Sequence, residues 1–204
     1  MEFTIRNEEE KDYFEVENVI REAFWNIYRP GCNEHLVTHN FRTNASFIKE
    51  LDFVIEKEGE IIGNIIYSYV KLKLDHGGVK KFICFGPIGI RPDYQGMGLG
   101  GDLIRYSLAE AKKLGYTVVF ITGNHNYYHK FGFESASKYG VYLDEKREGE
   151  STYFMVKSLI DGALTSVKGI LEFDCCFDPS KEELEEFDEK FPLKLKEKRE
   201  GQFA

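Results

Sequence analysis

Cysteine is scarce and follows no ligand pattern. The 204-residue chain has four, Cys32, Cys84, Cys175 and Cys176. No C-x-x-C spacing occurs, so a structural zinc cluster is not expected, and the adjacent Cys175 and Cys176 do not bridge to each other in ordinary disulfide geometry. Reduced thiols and no metal are the expectation. His35 and His39 would share a helix face at i, i+4, but Leu36 stands where a zinc-protease motif needs glutamate. Long apolar runs are missing too. No stretch approaches the roughly 18 residues of a membrane span, and the opening MEFTIRNEEEKD carries acids where a secretion signal would be apolar. Basic charge is in deficit, with 27 Lys and Arg against 35 Asp and Glu and a net charge of −8. That balance disfavours nucleic acid and anionic membrane as partners and tilts towards a cationic one. A cytoplasmic protein that binds neither nucleic acid nor membrane is the expectation.

What is present is the material of a folded core: 42% apolar and 15% aromatic residues, with 17 Phe and 12 Tyr. At this length one well-buried core is expected, with room for a small appendage. FTIRN reads as a short strand, and Tyr13, Val16, Val19, Ile20, Ala23 and Phe24 recur at helical spacing over about residues 9–24. WNIYRPGCNEHLVTHNFRTN is broken by Pro30 and Gly31 and reads as a loop followed by a short helix near His35 to Phe41. From Asp52 the period becomes two. Three β-rich runs, turning at Glu58-Gly59 and at Asp75 to Gly78 and ending in KFICFGPIGI, predict an antiparallel meander.

LGGDLIRYSLAEAKKLGY places Leu99, Leu103, Ile104, Leu108, Ala111 and Leu114 on one helical stripe, with Gly115 as its stop. The strand TVVFIT follows, then GNHNYYHKFGF, then strand-like pieces near Tyr139 to Leu143 and Thr152 to Leu159. Residues 161–204 read as a C-terminal extension packed on the same domain, with LEFDCCFD, a helix near Pro179 to Phe191 and a charged tail. Asp178 with Pro179, or a Ser180–Glu183 capping box, would start that helix. Its acids, Asp188 among them, are expected on a solvated face, with Leu184, Phe187 and Phe191 docking inward.

The densest signal is QGMGLGG at residues 95–101. Gly96, Gly98 and Gly101 satisfy a dinucleotide-type G-x-G-x-x-G, but RPDYQ separates them from the preceding strand, and no acid lies between Lys112 and Phe133 to hold ribose hydroxyls. No Lys-Ser or Lys-Thr follows, so a Walker loop fails as well. The shared physics survives: glycines let backbone N–H groups converge on phosphate at a helix N-terminus. A pyrophosphate-bearing ligand is expected on Gln95 to Gly100. A plain strand-to-helix turn is the alternative.

The stretch GPIGIRPDYQGMGLGGDLI resembles the acyl-CoA signature of the GNAT superfamily of N-acetyltransferases, a strand followed by R/Q-x-x-G-x-G/A and a long helix. A second landmark agrees, Tyr128 four residues ahead of Gly132-Phe133. The resemblance covers roughly residues 1–160, most closely from Phe82 to Phe133. It implies an α/β fold with a mixed, mostly antiparallel central sheet flanked by helices, acetyl-CoA as co-substrate, and a pyrophosphate held by Gln95, Gly96, Met97, Gly98, Leu99 and Gly100. The pantetheine arm would lie along Ile88, Gly89 and Ile90, and Tyr128 would protonate the departing thiolate. Met97 departs from the pattern, which often has a basic residue there, and GNHN lacks the N-x-x-A of many relatives.

Acetyl transfer to an amine further needs an oxyanion site, for which a backbone N–H at Ile88 or Gly89 is the candidate, and a base. The base is not marked by any motif; Glu34, His35, His39 or a water chain are candidates. His125 and His129 are expected towards solvent. The acceptor pocket is expected from WNIYRPGCNEHLVTHNF and the extension, for a small-molecule or peptide amine, and a homodimer is the family-level expectation. Two other readings remain at this stage. One is an acyl-CoA-binding module that senses without turnover, and the other is a nucleotide-binding oxidoreductase.

Overall fold

The computed structural model describes residues 3–147, 149 and 152–202; the side chain of Cys175 lies outside the described residues. In chain order the elements are β1 (Thr4–Asn7), α1 (Tyr13–Phe24), α2 (Glu34–Thr43), β2 (Phe53–Lys57), β3 (Glu60–Leu74), β4 (Val79–Ile90) and α3 (Leu99–Lys113). There follow β5 (Val118–Thr122), α4 (His125–Tyr128), β6 (Glu134–Ser135), β7 (Val141–Tyr142), β8 (Phe154–Ser158), β9 (Gly169–Glu172) and α5 (Lys181–Asp188). The chain divides into two compact units, and β3, β4 and α3 each run from one into the other.

The first unit comprises the described residues of Met1–Ile66, Gly86–Leu103 and Cys175–Ala204. Here β1 pairs antiparallel with β2, and β2 with β3, through a two-residue turn at Glu58-Gly59 where both residues have positive φ. That backbone suits a tight hairpin, as the sequence predicts. The apolar stripe of α1 packs Val16, Val19 and Ile20 on Val54 and Ile61, while α2 sets Val37 and Phe41 against Ile66 and Cys176. The helix expected from residue 9 instead starts at Tyr13, because a 3-10 turn with an Asp12-to-Glu9 capping box precedes it.

α5 is shorter than the expected span of Pro179 to Phe191. Of the two proposed starts, the capping box is the one formed: Ser180 Oγ accepts from Glu183 N at 3.2 Å, and Glu183 Oε2 accepts from Ser180 N at 2.8 Å. Phe187 and Phe191 are buried with Leu36, and Leu184 packs beside them. Each buried ring stabilises this docking by about 1.5–3 kcal/mol. Asp188 does not share the solvated face of its neighbours. It is bound by side chains of α1 and α2.

The second unit comprises the described residues of Tyr67–Phe85 and Ile104–Asp174. β4 pairs parallel with β5 at Ile83–Val119 and Cys84–Phe120, the crossover through α3 that the sequence predicts, and β5 pairs antiparallel with β8 along its whole length. β6 adds to β8. β9 pairs antiparallel with β3 and parallel with β7, so the start of the C-terminal extension supplies a strand. The sheet is mixed, mostly antiparallel and flanked by helices. Along α3 the predicted stripe is buried from Leu99 to Ala111, but Leu114 is exposed, because the helix ends at Lys113. The bonds Gly115 N to Lys112 O and Tyr116 N to Ala111 O close that end as a Schellman motif. Cys32, Cys84 and Cys176 are buried.

Candidate active site

The glycine loop leaves β4 through a 3-10 turn, Pro92–Tyr94, and enters α3 at Leu99. Gly96 and Gly98 have φ of 78° and 88°, a backbone region that side-chain-bearing residues avoid. A Cβ at either would meet nothing within 4 Å. Glycine is therefore required there by conformation and not by packing, and the loop faces open space. Gln95 Nε2 donates to Ile90 O at 2.9 Å, tying the loop to the end of β4, and Leu99 is the one buried side chain of the stretch 95–99. Met97 is exposed. The exposed loop leads straight into a helix N-terminus, whose first N–H groups lack intrahelical partners, the arrangement that accepts phosphate.

β4 pairs with β5 at two residue pairs and then runs on to Ile90. In a regular strand residues three apart face opposite sides. Here a Cβ at Gly86 would strike the Phe41 ring at 2.7 Å, and one at Gly89 would strike Ile20 Cδ1 at 2.8 Å. Both positions thus face helices α1 and α2, so the alternation slips between them. Ile88 and Ile90 are half-buried and Gly89 is buried.

Tyr128 belongs to the second unit. Its half-buried ring lies across Gly123, where a Cβ would sit 2.5 Å from Tyr128 Cε2, so a side chain at 123 would displace it. Phe85 and Phe133 close around the ring at centroid distances of 5.7 and 6.1 Å, and Tyr127 meets it edge-on at 5.0 Å. Asn124 caps α4 by accepting from Asn126 N, which fixes the turn that presents Tyr128. His129 is exposed as expected. His125 is half-buried instead, with Nδ1 shielded from water.

The three candidate bases occupy different surroundings. His35 is fully buried, its Nε2 bonded to Asp188 Oδ1 at 3.1 Å and its Nδ1 3.5 Å from Cys32 Sγ. Against a carboxylate acceptor the Nε2 carries the proton, and burial holds the imidazole below its usual pKa despite Asp188. His39 Nδ1 is 2.8 Å from Glu17 Oε1, which Arg42 also binds. Both histidines are committed to structural carboxylates. Glu34 opens α2 with Oε2 accepting from Asn33 N at 3.0 Å, and burial pushes its carboxyl above the usual range. The same helix face carries Val37 and Phe41, which pack on the sheet. Among the described residues no group of three or more His, Cys, Asp or Glu side chains is placed to hold a metal ion, and no helix is long and apolar enough to cross a membrane.

Sequence reasoning missed the polar hub beside these groups. Asp188 Oδ1 accepts from Arg21 Nε at 3.1 Å and Lys196 Nζ lies 3.0 Å from Oδ2. Burial opposes the charge, but His35, Lys196 and Arg21 hold the carboxyl well below the usual carboxylate range. Gly123 was missed as well; its only signal is a glycine at the end of a strand, five residues before a tyrosine.

Comparison with known proteins agrees with this geometry. Residues 17–133 match the model of the acetyltransferase (GNAT) family. The chain is 29% identical over 118 residues, 58% of its length and 68% of the relative's, to the uncharacterized N-acetyltransferase YhbS of Escherichia coli K12. The crystal structure of YhbS in complex with CoA superposes with a TM-score of 0.75 at 25% identity, covering 87% of this chain and 92% of that one. A GNAT acetyltransferase from Brucella melitensis in complex with acetyl-CoA superposes with a TM-score of 0.70 at 24% identity, covering 87% and 99%. The chain belongs to the acetyltransferase (GNAT) family, and is an N-acetyltransferase.

Proposed function

We propose that the protein transfers an acetyl group from acetyl-CoA to a primary amine by direct attack within a ternary complex. The observation that carries this reading is the loop Gln95 to Gly100, with two left-handed glycines facing open space at the start of α3. Acetyl-CoA supplies the activated acetyl thioester. The backbone of the loop Gln95, Gly96, Met97, Gly98, Leu99 and Gly100 holds its pyrophosphate, and Ile88, Gly89 and Ile90 align the pantetheine arm along β4. An N–H at Ile88 or Gly89 stabilises the carbonyl oxygen as it gains charge. Tyr128 donates the proton that the departing thiolate needs. Its ring is held between Gly123, Phe85 and Phe133, which supports this role.

Of the three candidate bases, Glu34 suits the task best. Its carboxyl is raised towards the working pH by burial, as a general base requires, and among the described residues it is not spent on an ion pair of the kind that binds His35 and His39. The acceptor amine enters over the segment WNIYRPGCNEHLVTHNF.

Calorimetric titration with acetyl-CoA, followed by thiol release from acetyl-CoA across a panel of amines, tests the reading. Binding together with amine-dependent release is expected. Failure to bind at millimolar ligand would overturn it, and binding with no release for any amine would leave a sensing module in its place.

A further inference from the structure

The densest set of long-range bonds that acetyl transfer does not use joins the end of the chain to the loop between α1 and α2. Asn26 is its centre. The residue is 3% exposed and holds a left-handed φ of 59°. Its backbone N donates to Gly31 O at 2.9 Å, and Oδ1 accepts from Gly31 N at 2.7 Å, closing the loop 26–31 on itself. Its remaining groups go to the C-terminal tail. Oδ1 also accepts from Glu197 N at 3.1 Å, Nδ2 donates to Leu195 O at 3.0 Å, and the carbonyl accepts from Gln202 Nε2 at 2.9 Å.

The neighbouring residues repeat the pattern. Trp25 Nε1 donates to Leu195 O at 3.0 Å and Arg21 Nη1 to Pro192 O at 3.2 Å, with the Arg21 guanidinium 4.1 Å from the Trp25 ring. Lys194 pairs with Glu22, and Lys196 with Asp188. The apolar residues of this tail face away: Leu193 is fully exposed and Leu195 is 75% exposed. Apolar burial therefore does not explain why residues 192–202 lie here. The tail docks through its backbone and its lysines.

Asparagine is among the few residues with a Cβ that visit the left-handed region, and its side chain can hold that conformation through hydrogen bonds. Three of the five bonds that hold Asn26 in this conformation come from the tail. Beyond this fixed base the loop presents Ile27 and Tyr28, 50% and 43% exposed.

We propose that Asn26, Asp188 and the tail 192–202 are positioning residues that set acceptor specificity, by holding the loop 26–31 in one shape over an amine carried beside an apolar group. The consequence for the amine rests on the function proposed above; the pinning of the loop does not. Without the tail the loop samples many conformations, and acceptor binding must then bear the cost of ordering it. The acetyl-CoA loop, built from its own backbone, keeps its affinity.

Three variants test this: truncation after Phe191, Asn26→Gly, which keeps the left-handed backbone and removes only the side-chain bonds, and Asn26→Asp, which keeps the acceptors for Gly31 N and Glu197 N. Hydrogen exchange at the Gly31 amide should quicken about tenfold in the first two and less in the third. With the best amine of the panel, acceptor KM should rise about tenfold in the first two, with acetyl-CoA KM within about twofold and partial rescue in Asn26→Asp. Asn26→Gly removes the acceptor of the Gly31 amide itself, so the truncation decides: unchanged exchange there overturns the clamp. Faster exchange with unchanged acceptor KM overturns its role in specificity. A chain that fails to bind acetyl-CoA at all refutes the proposed function while the exchange result still decides the clamp.

Discussion

The glycine loop proposed to hold acetyl-CoA and the α1–α2 loop belong to the same unit and are built in opposite ways. At Gln95 to Gly98 the chain is exposed, carries little side-chain packing and owes its shape to two glycines that adopt φ values other residues avoid. At 26–31 a buried asparagine holds a left-handed backbone, stabilised by side-chain bonds to residues about 170 positions later. On the proposed function, the first is a backbone device for the pyrophosphate of the donor that every acceptor shares. The second is a side-chain device in the region where substrates would differ. Tolerance to change should follow: the first fails when a Cβ is added, the second when a remote partner is removed.

The largest effect expected is on chemistry. Tyr128→Phe should lower kcat by about 100-fold or more with acetyl-CoA affinity within about twofold, the range for a lost general acid. Thiol-release kinetics measure it, and an unchanged rate at all pH values would remove Tyr128 as the acid. Glu34→Gln should lower kcat by a similar factor of about 100 at neutral pH. Next comes the acetyl-CoA loop. Gly98→Val places a Cβ in a left-handed backbone, which costs about 1–2 kcal/mol, and obstructs phosphate. Acetyl-CoA affinity should fall about 30-fold or more by calorimetry, while acceptor KM at saturating acetyl-CoA stays close to wild type.

The α1–α2 side should respond to acid. His35 is held below its ordinary pKa, so the unfolded chain takes up that proton first, and stability falls as pH drops below about 6.5. Asp188 is depressed, so its contribution is complete above about 3.9 and is lost as pH falls further. Both act in the same direction. Thermal melts of wild type and Asp188→Asn should show the variant less stable at pH 7, with the difference shrinking at pH 3. A constant difference would mean that the Asp188 charge is not what binds Arg21 and Lys196. The smallest effect is Met97→Arg, which restores a cation beside the expected phosphate at an exposed position and should tighten acetyl-CoA severalfold at low salt but not at high salt.

The same contrast explains what could be read in the sequence. Helical and strand periods of α1, β2 to β4 and α3 reveal the meander and crossover because apolar spacing is a local signal. Glycine spacing and the Tyr128 to Phe133 run mark the family for the same reason. Asp188 looked like one acid among many on an exposed helix, and Arg21 like one charge on an amphipathic one. They are 167 residues apart and meet through tertiary packing that no spacing encodes. His35 and His39, suggestive at i, i+4, proved to serve different carboxylates because their rings bond Asp188 and Glu17.

The most direct measurement is a calorimetric titration of acetyl-CoA into wild type, Gly98→Val and the chain truncated after Phe191. Wild type and the truncated chain should bind with affinities within about twofold, and Gly98→Val should lose about 30-fold or more. Equal binding by Gly98→Val, or loss of binding on truncation, would contradict a donor site built from the backbone of residues 95–100 and an acceptor side held by the tail.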